Sequence, residues 1–225
     1  MYLNISFPLR FVVVEANTST LSAVCLVAAT SYVFASWTGK KVIAASSKTA
    51  ASLSFVLLAI ANEAAATEYG RYILLALILS LVGDHCLLSR KGHFLLSGIA
   101  AFFLAHVAFV AAFVQLGLDR TYFVISLVFA TAAAYFILRW LWKYLEGPYK
   151  AAVTAYLVVM IMMASFAFAA ASVPILGIAA ILFAVSDVSV ARDRFVSRDI
   201  VNKAWGLPLY YIAQLLFAAS VITVV

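Results

Sequence analysis

Residues 69–89 read YGRYILLALILSLVGDHCLLS, with one arginine at the start, one aspartate near the end and an almost unbroken apolar run between them. A helix needs roughly 20 apolar residues to cross a ~30 Å hydrocarbon core, whereas a helix on a soluble domain keeps a polar face. This stretch keeps none. It predicts a membrane-spanning helix that carries a carboxyl group inside the bilayer. Working outward, hydropathy between charged or turn-like breaks predicts spans near 18–38, 42–62, 69–89, 94–117, 121–142, 149–171, 173–191 and 204–224. Only Ser172, Val173 and Pro174 divide the sixth from the seventh, and the proline supports a break there.

Composition agrees with that reading. The chain is 67% hydrophobic and 11% charged, with a mean hydropathy of +1.11. That leaves too little polar surface to cover a water-soluble domain of this size. The expectation is an all-α polytopic membrane helical bundle of about eight transmembrane helices, one integral membrane domain over residues 1–225. Residues Arg10 to Ala16 form a short apolar stretch, and no clear small-residue cleavage site follows a basic region, so no removed signal peptide is read. Cys25 and Cys86 both lie in apolar stretches, which disfavours a disulfide framework and a cysteine zinc site. No Walker loop, dinucleotide fingerprint, HExxH or GxSxG occurs, and His85, His93 and His106 show no metal-ligand spacing. No cofactor, no metal and no nucleic-acid partner is expected.

The net charge of +6 matters less than where the basic residues fall. Lys40 and Lys41 follow the first span, Arg90 and Lys91 the third, Arg139, Lys143 and Lys150 flank the fifth loop, and Arg192, Arg194, Arg198 and Lys203 follow the seventh. Only Arg10, Arg71 and Arg120 fall on the other side. This bias predicts odd-numbered loops in the cytoplasm and both termini on the opposite side.

Each charged group at membrane depth costs a few kcal/mol even on lenient scales, so such groups face a bundle interior and find a partner. Lys48 sits about two turns into the second span, Asp84 near the end of the third and Asp187 near the end of the seventh. Under the predicted topology all three lie toward one face, in a layer with Tyr156, Tyr210 and Tyr211, while His106 lies nearer mid-membrane. The blander reading is that Lys48 and one aspartate form a buried ion pair that fixes helix register, or that residues near span ends snorkel to the interface. That explains one aspartate and leaves the second, and two carboxyls beside one cation are the makings of an acid and its ionised neighbour. His106 on its own reads as readily as a hydrogen-bonded packing residue. The sequences Gly83-Asp84 then Arg90 and Phe94, and Ser186-Asp187 then Arg192 and Phe195, would fit a four-plus-four parallel repeat, although the pattern is short.

The segment Ser80-Leu81-Val82-Gly83-Asp84, with Leu87-Leu88, Phe94, Gly98, Phe102 and Ala105-His106, resembles the central signature of the YhhN-like lysoplasmalogenase family. Later residues follow in the family's order: Tyr156, Met163, Gly177, Leu182-Phe183, Ser186-Asp187, Ala191, Phe195 and Tyr210-Tyr211-Ile212-Ala213-Gln214. Lys48 matches an early lysine of the family, with Thr49 where a proline is usual. The resemblance implies a multi-pass membrane enzyme that hydrolyses the vinyl ether bond of lysoplasmalogens, giving a fatty aldehyde and glycerophosphoethanolamine or glycerophosphocholine. Asp84, Asp187 and Lys48 are then the expected catalytic residues. Tyr156, Tyr210, Tyr211, Gln214, His106 and Ser186 are the expected substrate-binding residues, and the partners are the lysophospholipid and the surrounding membrane lipids. Competing readings are a small proton-coupled transporter, since intramembrane Lys and Asp also mark ion pathways, and a noncatalytic lipid-binding protein.

Overall fold

The structure is a computed structural model that describes residues 7–224, with side chains from Thr18 onward, so the sidedness assigned to Arg10 lies outside the described side chains. Eight helices run α1 Phe7–Trp37, α2 Lys41–Ala61, α3 Glu68–Leu88, α4 Gly92–Val114, α5 Arg120–Leu141, α6 Pro148–Ala169, α7 Ile175–Ala191 and α8 Ile200–Ala219. A five-residue π turn, Arg192–Val196, continues α7. Each helix contains a stretch long and apolar enough to span a bilayer. The all-α polytopic bundle expected from the sequence is therefore the fold. The division between α6 and α7 falls at residues 170–174, with Pro174 immediately before α7. In lipid only a helix satisfies its own backbone groups, which is why the apolar runs take this form without amphipathic periodicity.

Helix starts are set by local chemistry. The Thr67 hydroxyl accepts from the Gly70 amide at 3.0 Å, and Asp119 accepts from the Thr121 and Tyr122 amides at 2.7 and 3.0 Å. Pro148 occupies the first turn of α6, where its missing N–H costs nothing. Asp199 accepts from the Val201 amide and starts α8 at Ile200, about a turn earlier than hydropathy placed it. The difference matters, because it brings Asn202 and Lys203 into the helix. α2 runs unbroken through Thr49, whose hydroxyl donates to the Ala45 carbonyl at 3.0 Å and meets His85 Nε2 at the same distance.

Consecutive helices pack as hairpins, α1 with α2, α3 with α4, α5 with α6 and α7 with α8, and α8 also packs against α1 and α2. α4 packs on α6 much as α2 packs on α8, the correspondence a repeat would give, but the α1–α8 packing has no comparably extensive α4–α5 counterpart. α5 leans on α6, and its face bearing Val128, Phe129 and Phe136 is open to lipid. The end of the bundle at the even-numbered loops is closed by Phe109, Phe113 and Phe217, with the Phe109 and Phe217 rings 4.3 Å apart. Close approach of α7 and α8 depends on Gly206: a Cβ there would lie 1.6 Å from Ser189 Oγ. The opposite end, at the odd-numbered loops, is left open.

Candidate active site

A cavity of about 140 Å³ opens among the odd-loop ends of the helices. Its walls include Tyr32 from α1, Lys48 from α2, Asp84 from α3, Tyr156 from α6, Asp187 from α7 and Tyr210 from α8, so six helices supply its polar groups. A second branch is apolar, formed by Leu95 and Ile99 of α4, Ile137 and Leu141 of α5, and Leu157 and Met160 of α6. Because α5 leans on α6 and barely meets α4, this branch sits beside the least closely packed helix of the bundle. The cavity is therefore amphipathic, with polar groups in one part and an apolar branch in the other.

The two carboxyl groups have unlike surroundings. Lys48 Nζ stands 3.0 Å from Asp84 Oδ1, and both side chains are almost fully buried. Asp84 Oδ2 accepts from Ser52 Oγ at 2.7 Å and from Tyr210 OH at 2.8 Å. Ser52 lies one helical turn beyond Lys48, so a single face of α2 delivers both the cation and a hydroxyl. Asp187, which is half-buried, has one hydrogen-bond donor, Tyr156 OH at 2.7 Å to Oδ2, and no ion-pair partner among the described residues. Among the described residues, Oδ1 of Asp187 makes no hydrogen bond that competes for it. A cation and two hydroxyls surround Asp84, while a single phenol reaches Asp187 among the described residues.

The remaining sequence-predicted residues divide into those that line the cavity and those behind its wall. Ser186 lines it, but its hydroxyl donates to the Phe183 carbonyl at 2.7 Å. Tyr211 is fully buried behind the wall with its hydroxyl 3.4 Å from Ser52 Oγ. Gln214 is fully buried one turn beyond Tyr210, and neither amide atom reaches a hydrogen-bond partner at normal distance among the described residues. His106 Nδ1 donates to the Phe102 carbonyl at 2.6 Å, its ring stacks edge-on at 5.1 Å from Tyr156, and Nε2 has no hydrogen-bond partner among the described residues. His106 thus supports the phenol that holds Asp187 and does not itself face the cavity. The aromatic rings of Phe102, Phe183 and Tyr210, with centroids 5.4 to 6.2 Å apart, form the wall between.

A model of the YhhN family matches residues 43–221, a stretch that contains every one of these predicted residues. The chain belongs to the YhhN family. No curated protein and no solved structure matches it. Membership supports a lysoplasmalogenase-like hydrolase at the level of the family. Sequence reading missed Ser52, a common residue type whose only signal is its spacing of four from Lys48, and Tyr32, which lies outside the matched stretch. The Tyr32 ring has Lys48 Nζ at 5.6 Å and Lys203 Nζ at 5.4 Å from its centroid. Asp193, Arg194, Asn202 and Lys203 also line the cavity, and Arg194 and Lys203 had counted only toward topology.

Proposed function

We propose that this YhhN-family protein hydrolyses the vinyl ether bond of lysoplasmalogens, releasing a fatty aldehyde and a glycerophospho-ethanolamine or -choline. One observation carries the reading: two carboxyls share one amphipathic cavity, one held by a cation and two hydroxyls and the other by a single phenol. Cleavage of an enol ether begins when a proton is delivered to the carbon remote from oxygen, which leaves an oxocarbenium ion. Water adds to the carbon bearing the oxygen, and the hemiacetal collapses to aldehyde and alcohol. One water is consumed and no redox partner is needed.

Asp187 is assigned as the proton donor because Oδ1 is free while Tyr156 fixes Oδ2. After that transfer Asp187 is a carboxylate, able to take the proton of the attacking water and return to its starting state. Asp84, saturated by Lys48, Ser52 and Tyr210, is a poor base and a good fixed negative charge beside the oxocarbenium ion, the division of labour familiar from glycoside hydrolysis. Lys48 accordingly holds Asp84 and leaves the substrate phosphate to other residues. The alkenyl chain lies in the apolar branch between α4, α5 and α6. By the distribution of basic residues, the site sits at the cytoplasmic face.

The test is aldehyde release from a defined 1-alkenyl lysophospholipid by purified protein in detergent, run beside Asp84→Asn and Asp187→Asn. Release by the wild type and its loss in both folded variants supports the hydrolase. A folded, lipid-supplemented wild type that releases no aldehyde overturns it and directs attention to pH-gradient-driven uptake in vesicles.

A further inference from the structure

The cavity continues past the carboxyl pair to a corner formed by the π turn Arg192–Val196 and the first turn of α8. Asn202 Nδ2 donates to the Ser197 carbonyl at 2.7 Å and ties these two segments together. The corner is also clamped to the end of α3: Arg194 donates to the Leu87 and Ser89 carbonyls, and Arg90 pairs with Asp193 Oδ2 at 3.0 Å. It is a feature cross-linked by hydrogen bonds and an ion pair, and its polar groups are unevenly satisfied.

Two positive charges and two acceptors remain to be used. Lys203 is half-buried on the cavity wall, with the Tyr32 ring beside it and no ion-pair partner among the described residues. Arg194 spends donors on two carbonyls, and its charge has no carboxylate within ion-pair distance among the described residues. On the other hand, Asn202 Oδ1 and Asp193 Oδ1 are buried without a hydrogen-bond partner among the described residues, with Asn202 1% exposed and the Asp193 side chain 9%. A buried acceptor left unpaired costs about 1–3 kcal/mol, so a ligand that supplies N–H donors is favoured there.

We infer that this corner is a head-group site for phosphoethanolamine, with Lys203 and Arg194 on the phosphate and Asp193 Oδ1 and Asn202 Oδ1 on the primary ammonium. A primary ammonium brings three N–H donors, whereas the trimethylammonium of choline brings none and would bury both acceptors unpaired. Choline's usual alternative is an aromatic face, and the Tyr32 ring is already flanked by Lys48 and Lys203. The inference deepens the hydrolase reading by naming the head group, yet its test does not depend on hydrolysis.

The test measures binding of 1-O-alkyl-glycero-3-phosphoethanolamine, 1-O-alkyl-glycero-3-phosphocholine and 1-O-alkylglycerol, none of which has a vinyl ether to cleave, to the full chain in detergent. The expected result is about tenfold tighter binding of the ethanolamine lipid than of the choline lipid. Lys203→Gln should weaken both phospholipids about tenfold and leave the alkylglycerol unchanged. Asp193→Asn should bring the ethanolamine-to-choline ratio toward one. Equal affinity for the two phospholipids in the wild type, or a loss in Lys203→Gln that extends to the alkylglycerol, overturns the head-group site. The predicted binding pattern without aldehyde release would leave the head-group site standing and remove the hydrolase; aldehyde release without any head-group dependence would do the reverse.

Discussion

The ends of α3 and α7 begin from the same short motif, a small residue followed by aspartate, and finish as opposite environments. At Gly83-Asp84 the backbone is thin enough for Phe102 to press against it, since a Cβ on Gly83 would lie 2.6 Å from that ring. The carboxylate beside it is enclosed by a cation and two hydroxyls. At Ser186-Asp187 the serine hydroxyl turns back onto its own helix, and the aspartate has one phenol for company. Likeness along the chain therefore predicted position and not chemistry. The chemistry was decided by the facing helices: α2 and α8 present Lys48, Ser52 and Tyr210 to one aspartate, and α6 presents only Tyr156 to the other.

The largest effect that sharpens this contrast is on turnover. Asp187→Asn removes the assigned proton donor and should lower aldehyde release by about 10²–10⁴-fold, the range for a lost general acid. Asp84→Asn removes a fixed charge and should also be severe, but the two variants should differ in kind. A substrate whose enol ether is more readily protonated should recover part of the rate in Asp187→Asn and little in Asp84→Asn. Equal recovery in both would erase the division of roles.

Next in size is stability, where the asymmetry runs the other way. Lys48→Met leaves Asp84 buried without its counter-charge and should destabilise the protein by about 3–5 kcal/mol, read from denaturation in detergent. Lys48→Met combined with Asp84→Leu should be less destabilising than Lys48→Met alone, because no orphan charge remains. Asp187→Leu, which strands no cation, should be milder than Lys48→Met. If the two are alike, the ion pair does not distinguish the half-sites.

A smaller stability effect belongs to the helix contact that brings the two half-sites together. Gly206→Ala places a methyl against Ser189 and should cost about 1–3 kcal/mol through separation of α7 from α8. Ser189→Ala added to it removes the hydroxyl that the methyl strikes and should return part of the loss. If stability is unchanged in Gly206→Ala, close approach of these helices is not what fixes Asp187 relative to Tyr210.

Much of the fold was readable because lipid imposes a simple rule: long apolar runs become helices, and Lys and Arg collect at one set of loops. Asp84, Asp187 and Lys48 were readable for the same reason, since a charge stands out against an apolar background. Ser52 was not, because serine is common in these spans and only the three-dimensional approach of α2 to α3 selects it. Lys203 and Arg194 were hidden by the reverse problem. Loop cations are normally solvated, and only the cap at Asp199 and the π turn after α7 bring these two onto the cavity wall. Spacing placed Tyr211 in the right layer but could not show that it turns behind the wall while Tyr210, its neighbour, reaches Asp84.

The finest difference between the half-sites rests on a single hydroxyl. Tyr156→Phe deletes the one donor to Asp187 among the described residues and preserves the ring that packs on His106. A hydrogen bond to such a half-buried carboxyl contributes about 1–2 kcal/mol, so turnover should fall by roughly tenfold with little loss of stability. Tyr210→Phe deletes one of three partners of Asp84, and the remaining Lys48 and Ser52 keep that carboxylate fixed; its effect should be smaller. The order of these two phenylalanine variants is diagnostic because both tyrosines are aromatic wall residues bonded to an aspartate. A larger loss in Tyr210→Phe than in Tyr156→Phe would mean that Asp84, and not Asp187, is the group whose orientation limits the reaction.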